Sequence, residues 1–236
     1  MRTLGLIGGM SWESSALYYR LVNQGVRAAR GGHHSAPLLM LSLDFAEIAA
    51  LQHAGDWNAL GDRMAAAART LAQGGAEAIV LCTNTMHKVA DAIEAATDVP
   101  LLHIADATGA ALREAGVTRA GLLGTAFTME QDFYRARLAT RWGVEVIVPA
   151  ADDRATVHRV IYDELVQGVV RDASRAAYRD VMARLTAAGA EAVVLGCTEI
   201  GLLVGPDDAS VPLFDTTALH ADAAVRFALR AGAGRL

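Results

Sequence analysis

Two cysteines are the residues whose type and placement most invite chemistry. Cys82 and Cys197 lie 115 positions apart, which is neither a dense disulfide framework nor a Cys-x-x-Cys zinc spacing, so any chemistry they do is that of thiols. Each follows a copy of the same segment. Gly74-Gly75-Ala76-Glu77-Ala78-Ile79-Val80-Leu81 matches Ala188-Gly189-Ala190-Glu191-Ala192-Val193-Val194-Leu195 at six of eight positions, and each copy runs into Cys-Thr, with Gly196 inserted in the second. Gly5-Leu6-Ile7-Gly8 pairs with Gly121-Leu122-Leu123-Gly124, and Val99-Pro100-Leu101 with Val211-Pro212-Leu213, at offsets of 116 and 112. Several matches in one order, spaced by about half the chain, predict two α/β lobes related by a pseudo-twofold axis, with the cysteines as symmetry mates.

In an open parallel sheet the ligand sits outside the carboxyl ends of the strands, where each Cys falls. If the lobes face each other, the thiols converge on a shared cleft. A thiol at a helix start meets unpaired backbone N–H groups that favour its thiolate, a proton-abstracting form near neutral pH. With one Cys as base and the other as acid, a proton leaves one face of a tetrahedral carbon and another returns to the opposite face. That reaction is racemisation or epimerisation. Thr83-Asn84-Thr85 and Thr198-Glu199 place hydroxyl, amide and carboxylate groups at strand-to-helix turns, where they can hold an α-carboxylate, and Glu199 can receive an α-ammonium. The Gly8-Gly9-Met10-Ser11 and Gly124-Thr125 turns add backbone donors. Pyridoxal phosphate would require a Schiff-base lysine. The single lysine, Lys88, lies in an amphipathic stretch without any other signature of that cofactor, so the expected mechanism uses no cofactor.

The elements that must position these groups alternate in a βαβ rhythm. Thr3 to Ile7, Leu38 to Leu43, Ala78 to Leu81, Leu101 to Ile104, Ala120 to Leu123, Val144 to Val148 and Ala192 to Leu195 read as buried strands of parallel sheets. Asp56 can cap a helix whose apolar positions Trp57, Leu60, Met64, Ala67, Ala68 and Leu71 hold helical spacing until Gly74-Gly75. Thr128 to Arg141 and Ser174 to Ala187 behave alike.

The chain has 236 residues, 53% hydrophobic and 20% charged, which excludes disorder. Twenty-one basic against 26 acidic side chains give a net charge of -5, without the basic excess of a duplex-binding surface, so nucleic acid is not an expected partner. Met1 to Met10 is too short to span a bilayer and runs into Ser11-Trp12-Glu13 rather than a cleavage site. No apolar run reaches roughly 18 residues. The expectation is a cytoplasmic protein with no membrane partner.

Other readings compete. A lone Cys at a strand end is usually packing, and the duplication of Cys-Thr reverses that. His87, five residues after Cys82, invites a Cys-His nucleophile, but no oxyanion motif accompanies it and Cys197 would have no role. His33-His34 lies in a polar loop, and His53, His103, His158 and His220 are scattered, so solvated or core roles are expected and no metal site. Gly5 to Gly9 does not match Gly-x-Gly-x-x-Gly. Met10 and Met86 can pack or line a site, and Trp12, Tyr18 and Tyr19 read as a core or dimer helix. A two-lobe protein that binds an amino acid without turning it over would need the Thr and Asn positions but not both thiols.

Gly5-Leu6-Ile7-Gly8-Gly9-Met10-Ser11-Trp12-Glu13-Ser14, Cys82-Thr83-Asn84-Thr85-Met86-His87 and Gly196-Cys197-Thr198-Glu199-Ile200 resemble the motifs of the aspartate/glutamate racemase family, which works without pyridoxal phosphate. Leu102 to Thr108 and Thr128 to Tyr134 resemble its bacterial broad-specificity branch, which contains the aspartate/glutamate-specific racemases. The resemblance implies two lobes, 1–98 with 209–236 and 99–208, the C-terminal helix returning to the first. It implies Cys82 and Cys197 as the acid/base pair, a homodimer, and a substrate site lined by Met10, Gln52, Thr83, Asn84, Thr85, Thr125, Thr198 and Glu199. Some aspartate-preferring members carry basic residues where this chain has Ala49 and Gln52, and, in the helix reading Ile161 to Gly168, Val166. Arg171 could approach from the following turn. Neutral polar side chains, such as that of homoserine, or a broad substrate range then become candidates. Hydantoin racemases and maleate isomerases share the superfamily, but differ after each Cys.

Overall fold

A computed structural model of the chain describes residues 1–230 as two compact α/β units, one comprising Met1–His103 and the chain from His220 onward, the other Ile104–Leu219. In the first, β1 (Leu4–Gly8), β2 (Leu38–Ser42), β3 (Ala78–Leu81) and β4 (Leu101–Leu102) form a parallel sheet in the order β2-β1-β3-β4. In the second, β5 (Arg119–Gly124), β6 (Glu145–Ile147), β7 (Ala192–Gly196) and β8 (Leu213–Asp215) repeat that pattern as β6-β5-β7-β8, again parallel. The internal repeat is thus a repeat of topology.

Helices cover both faces of each sheet, so the central strands are buried on both sides and read as continuous apolar runs. In the first unit α1 (Trp12–Arg30), α2 (Phe45–Ala54), α3 (Trp57–Gln73) and α4 (Ala90–Ala96) connect the strands. Alternation along a strand sorts its side chains. Ile7, Ile79 and Leu81 pack with Leu60, Met64 and Leu71 of α3 on one face. Leu4, Leu6, Ala78, Val80 and Cys82 pack with Tyr18, Val22 and Val26 of α1 on the other. The Asp56 cap is present, its side chain accepting from the Ala59 N–H at 3.0 Å.

The second unit uses α5 (Ile104–Glu114), α6 (Ala126–Glu130), α7 (Asp132–Trp142), α8 (Ala151–Asp163), α9 (Asp172–Ala187) and α10 (Ile200–Leu203). Ala120, Leu122, Ala192 and Val194 pack with Leu112 of α5 and Leu138 of α7. Leu123, Val193, Leu195 and Cys197 pack with Val157 and Val160 of α8 and Val181 and Leu185 of α9. Cys197 therefore shares the sheet face of Val193 and Leu195, whereas Cys82 shares that of Ala78 and Val80. The cause is Gly196. One extra residue before the Cys carries it to the opposite face of the strand, so the cysteines are not strict symmetry mates.

Several boundaries differ from the sequence reading. Leu101 to Ile104 is strand only at Leu101–Leu102, because Ile104 already opens α5. Thr128 to Arg141 is broken at Gln131, whose extended backbone ends α6 before α7 begins. Ile161 to Gly168 is helical only to Asp163 and then forms a short 3-10 turn, Leu165–Gln167. The units divide after residues 103 and 219 rather than 98 and 208, because β8 pairs with β7 and keeps residues 209–219 in the second unit. No helix of the described residues is long and apolar enough to cross a membrane.

Helix α11 (Thr216–Leu229) returns the chain to the first unit, where Ala221, Ala224 and Val225 join the cluster of Tyr18 and Cys82. Gly25 of α1 permits this approach, since a Cβ there would lie 2.8 Å from a Val225 methyl. His220 is fully buried, its Nδ1 2.9 Å from the Tyr18 hydroxyl and its Nε2 2.6 Å from the Leu102 carbonyl. Burial pushes its pKa down to about 4, partly offset by the bond to Leu102. The unfolded chain titrates near the ordinary value of about 6.5. Above that value both states are neutral. As pH falls from about 6.5 towards about 4, only the unfolded chain takes up the proton, and stability drops by up to about 1.4 kcal/mol per pH unit. Denaturant unfolding between about pH 7 and about pH 4.5 should show this slope. The variant His220→Phe should be less stable at neutral pH but lack this one-proton component. An unchanged slope in the variant would exclude His220 as its source.

Candidate active site

Each unit carries a group of polar residues where its first and third strands end. In the first unit β1 gives way to Gly8-Gly9. Gly9 has φ +90°, and a Cβ there would lie 2.1 Å from the Leu43 carbonyl oxygen, so only glycine lets the turn pass. The Gly9 N–H donates to Ser15 Oγ at 2.7 Å, and Ser11 caps α1. Beyond β3 come Cys82, Thr83 and Asn84, then a 3-10 turn, Thr85–Val89, before α4 opens at Ala90. All three hydroxyl and amide residues, Thr83, Asn84 and Thr85, are buried. Met10 packs with Ile48, Leu81 and Met86, and the Gln52 amide donates to the Met86 sulfur at 3.3 Å. Gln52 is thus brought to the Cys82 motif through Met86.

In the second unit β5 ends at Gly124, paired in register with Gly196 of β7. A Cβ on Gly124 would lie 2.9 Å from the Gly196 carbonyl oxygen, which explains glycine at the strand end. Thr125 caps α6, accepting from the Thr128 N–H. Beyond β7, Cys197, Thr198 and Glu199 converge on one carboxylate oxygen: the Cys197 thiol donates to Glu199 Oε2 at 3.0 Å and the Thr198 hydroxyl donates to the same atom at 2.7 Å.

The ionisation of the thiols differs from the sequence expectation. Burial pushes the Cys82 thiol far above its ordinary value. Burial also raises Cys197 well above its ordinary value, followed by the charge of Glu199 and the hydrogen bond to it. The backbone N–H groups of Glu199 and Thr198 pull the other way without prevailing. Neither thiol sits at the first turn of a helix, because α4 and α10 begin only at Ala90 and Ile200. Desolvation therefore outweighs the dipole, and both groups rest as thiols.

Two residues that the sequence reading did not place in the site are paired on α8. The rings of His158 and Tyr162, one turn apart on α8, lie 4.7 Å apart, and Phe127 stands 6.3 Å from His158. Tyr162 is pushed up to about 12 by burial and then by electrostatic interaction with Cys197 and Glu199. Their i, i+4 spacing was the available signal. Arg171 is directed to Glu164 at 3.5 Å, and Lys88 stands 3.7 Å over the Trp57 ring. Tyr18 is core, whereas Trp12 and Tyr19 are exposed on α1. His33 and His34 are exposed, and among the described residues no three His, Cys, Asp or Glu side chains are placed to hold a metal ion.

With this geometry in place, residues 7–224 match the family model described as Asp/Glu/Hydantoin racemase. The chain belongs to that family. This makes it one of the racemases, isomerases acting on amino acids. A crystal structure from Yersinia pestis, provisionally described as an Asp/Glu racemase, is 55% identical, with a TM-score of 0.91 over 98% of this chain and 100% of that one. PH1733, an aspartate racemase homologue from Pyrococcus horikoshii OT3, is 31% identical with a TM-score of 0.82 over 97% and 99% of the two chains. An aspartate racemase from Picrophilus torridus, 18% identical with a TM-score of 0.73 over 97% and 94%, shares the fold.

In this racemase the Glu199 contact has a measurable consequence. Removing the negative charge that disfavours the Cys197 thiolate should lower the thiol pKa. With Cys82 replaced by Ser, Glu199→Gln should speed alkylation of Cys197 by iodoacetamide at fixed pH by about tenfold, the equivalent of about one pKa unit. An unchanged or slower rate would mean that Glu199 does not control the thiol.

Proposed function

We propose that the chain is a cofactor-independent racemase of free amino acids, aspartate, glutamate or a polar relative, in which Cys82 and Cys197 alternate as base and acid at the α-carbon. The observation that carries this reading is the Cys197–Glu199 contact. A carboxylate accepting the proton of the reacting thiol is the group through which an α-ammonium would be sensed at that thiol. A hydantoin ring has no such cation, so Glu199 favours the free amino acid over the hydantoin branch.

The step balances in protons. The thiolate of one Cys takes the α-hydrogen, and the thiol of the other gives its proton to the opposite face of the carbanion. The base ends as a thiol and the acid as a thiolate, set for the reverse reaction. Because burial holds both groups as thiols in the free chain, the active form must lose one proton as substrate binds. Thr83, Asn84, Thr85, Thr125 and Thr198 would hold the α-carboxylate, and Gln52 and Met10 the side chain. Gln52 can meet a neutral polar group without demanding a charge, and Arg171, directed to Glu164, supports a preference broader than strict dicarboxylates.

The test is incubation of metal-free, pyridoxal-free protein with a panel of L-amino acids in deuterated water, following loss of the α-hydrogen signal and appearance of the D form. Exchange is expected with at least one polar amino acid. It should accelerate as pH rises from about 7 to about 9, because the thiolate form becomes more abundant. Cys82→Ser and Cys197→Ser should each abolish racemisation and retain binding. No exchange with any member of the panel would overturn the proposal, and binding without exchange would favour a sensor on the same scaffold.

A further inference from the structure

Three buried histidines lie behind the Cys82 turn, and the reaction proposed above uses none of them. The rings of His87 and His103 are 4.4 Å apart, and those of His87 and His220 5.9 Å apart. Two tautomers follow from the partners. A carbonyl oxygen only accepts, so a neutral ring nitrogen bonded to one must carry the hydrogen. His87 therefore donates Nδ1–H to the Thr83 carbonyl at 2.8 Å. His220 donates Nε2–H to the Leu102 carbonyl and accepts from the Tyr18 hydroxyl at Nδ1.

The Thr83 carbonyl is the next one after that of Cys82. The Cys82 N–H donates to the Ile7 carbonyl at 2.9 Å, the Cys82 carbonyl accepts from Ser14 Oγ at 3.3 Å, and the Thr83 N–H donates to the Leu81 carbonyl at 2.9 Å. In an α-helix the Thr83 carbonyl would accept from the main-chain N–H four residues on. That N–H belongs to His87 and bonds instead to the Asn84 carbonyl at 3.1 Å, closing the 3-10 turn. The His87 imidazole supplies the bond that the helix ladder would have made. The same contact argues against a Cys-His pair formed through Nδ1, since that nitrogen is committed to Thr83 while the Cys82 thiol points to the Val80 carbonyl at 3.8 Å.

We infer that His87 is a positioning residue, whose Nδ1–H holds the Thr83 carbonyl and so fixes the direction of the Cys82 sulfur, with His103 and His220 bracing its ring. The inference rests on Cys82 being one of the two proton-transfer groups, and it has a readout that does not need turnover. Asn places an amide N–H where His carries Nδ1–H, whereas Gln places its amide nearer to Nε2. In a Cys197→Ser background, where Cys82 is the sole thiol, His87→Ala and His87→Gln should raise the iodoacetamide alkylation rate of Cys82 by about fivefold to tenfold, the scale of one lost hydrogen bond. His87→Asn should stay within about twofold of its parent.

With both cysteines present, the Ala and Gln variants should lower kcat more than they raise KM, and Asn should restore kcat. Equal alkylation rates in all four proteins, or Asn impaired as severely as Ala, would overturn the role given to Nδ1–H. If His87→Ala does not fold, the contrast between Asn and Gln decides the same question. A wild-type protein that exchanges no amino acid would refute the racemase mechanism, while the alkylation series would still decide whether His87 holds the turn.

Discussion

Withdrawing a thiol from water holds it in its neutral form, and both cysteines of this racemase are withdrawn. A buried acid changes its proton only when something nearby changes its charge or its hydrogen bonds. The features around the thiols follow from that constraint. Cys197 has a carboxylate within hydrogen-bond reach, and the backbone N–H groups of Thr198 and Glu199 oppose part of its effect. The Cys82 backbone is held by Ile7 and Ser14, and the Thr83 carbonyl by the His87 ring. Under the mechanism proposed above, reactivity in such a setting would arise when a ligand arrives rather than in the free protein.

The two halves meet the constraint differently although they share one topology. In both, the third strand in chain order is central and ends at a Cys-Thr pair. Gly196 lengthens β7 by a residue relative to β3 and turns Cys197 onto the face covered by α8 and α9, while Cys82 packs with α1 and α11. The surroundings diverge accordingly. Glu199 and Tyr162 give the second unit a polar, charge-bearing neighbourhood, and the first packs its thiol among apolar side chains, with the ring of His87 on the following turn against those of His103 and His220. Two strand ends of like topology thus differ in the sheet face that their cysteines occupy and in the groups around them.

Much of this was legible in the sequence. The repeat of Ala-Glu-Ala and the flanking apolar runs marked β3 and β7, and Asp56 marked the start of α3, because strand alternation and helix capping are local properties. β8 was missed since three residues of a short strand carry too little periodicity, and its pairing with β7 also moved the unit boundary past residue 209. The members of the candidate site were visible as Cys-Thr-Asn-Thr and Cys-Thr-Glu, but not their protonation. A sequence shows that Cys82 follows a strand, whereas the absence of a helix start there and the depth of burial are tertiary facts. His103 and His220 looked scattered, and His87 was weighed only as a partner of Cys82, because the three come from separated segments and only packing gathers them.

The path of the chain also bears on the order in which the protein can be made. The first unit contains β1 to β4, but the cluster that encloses Cys82 includes Ala221, Ala224 and Val225, which leave the ribosome only after the entire second unit. Nascent domains ordinarily mature from the amino terminus onward. Here the earlier unit must wait with its α1 surface uncovered while the later one is completed. Chaperone demand during synthesis would therefore fall on the amino-terminal half, whose α1 face is closed only when α11 has emerged.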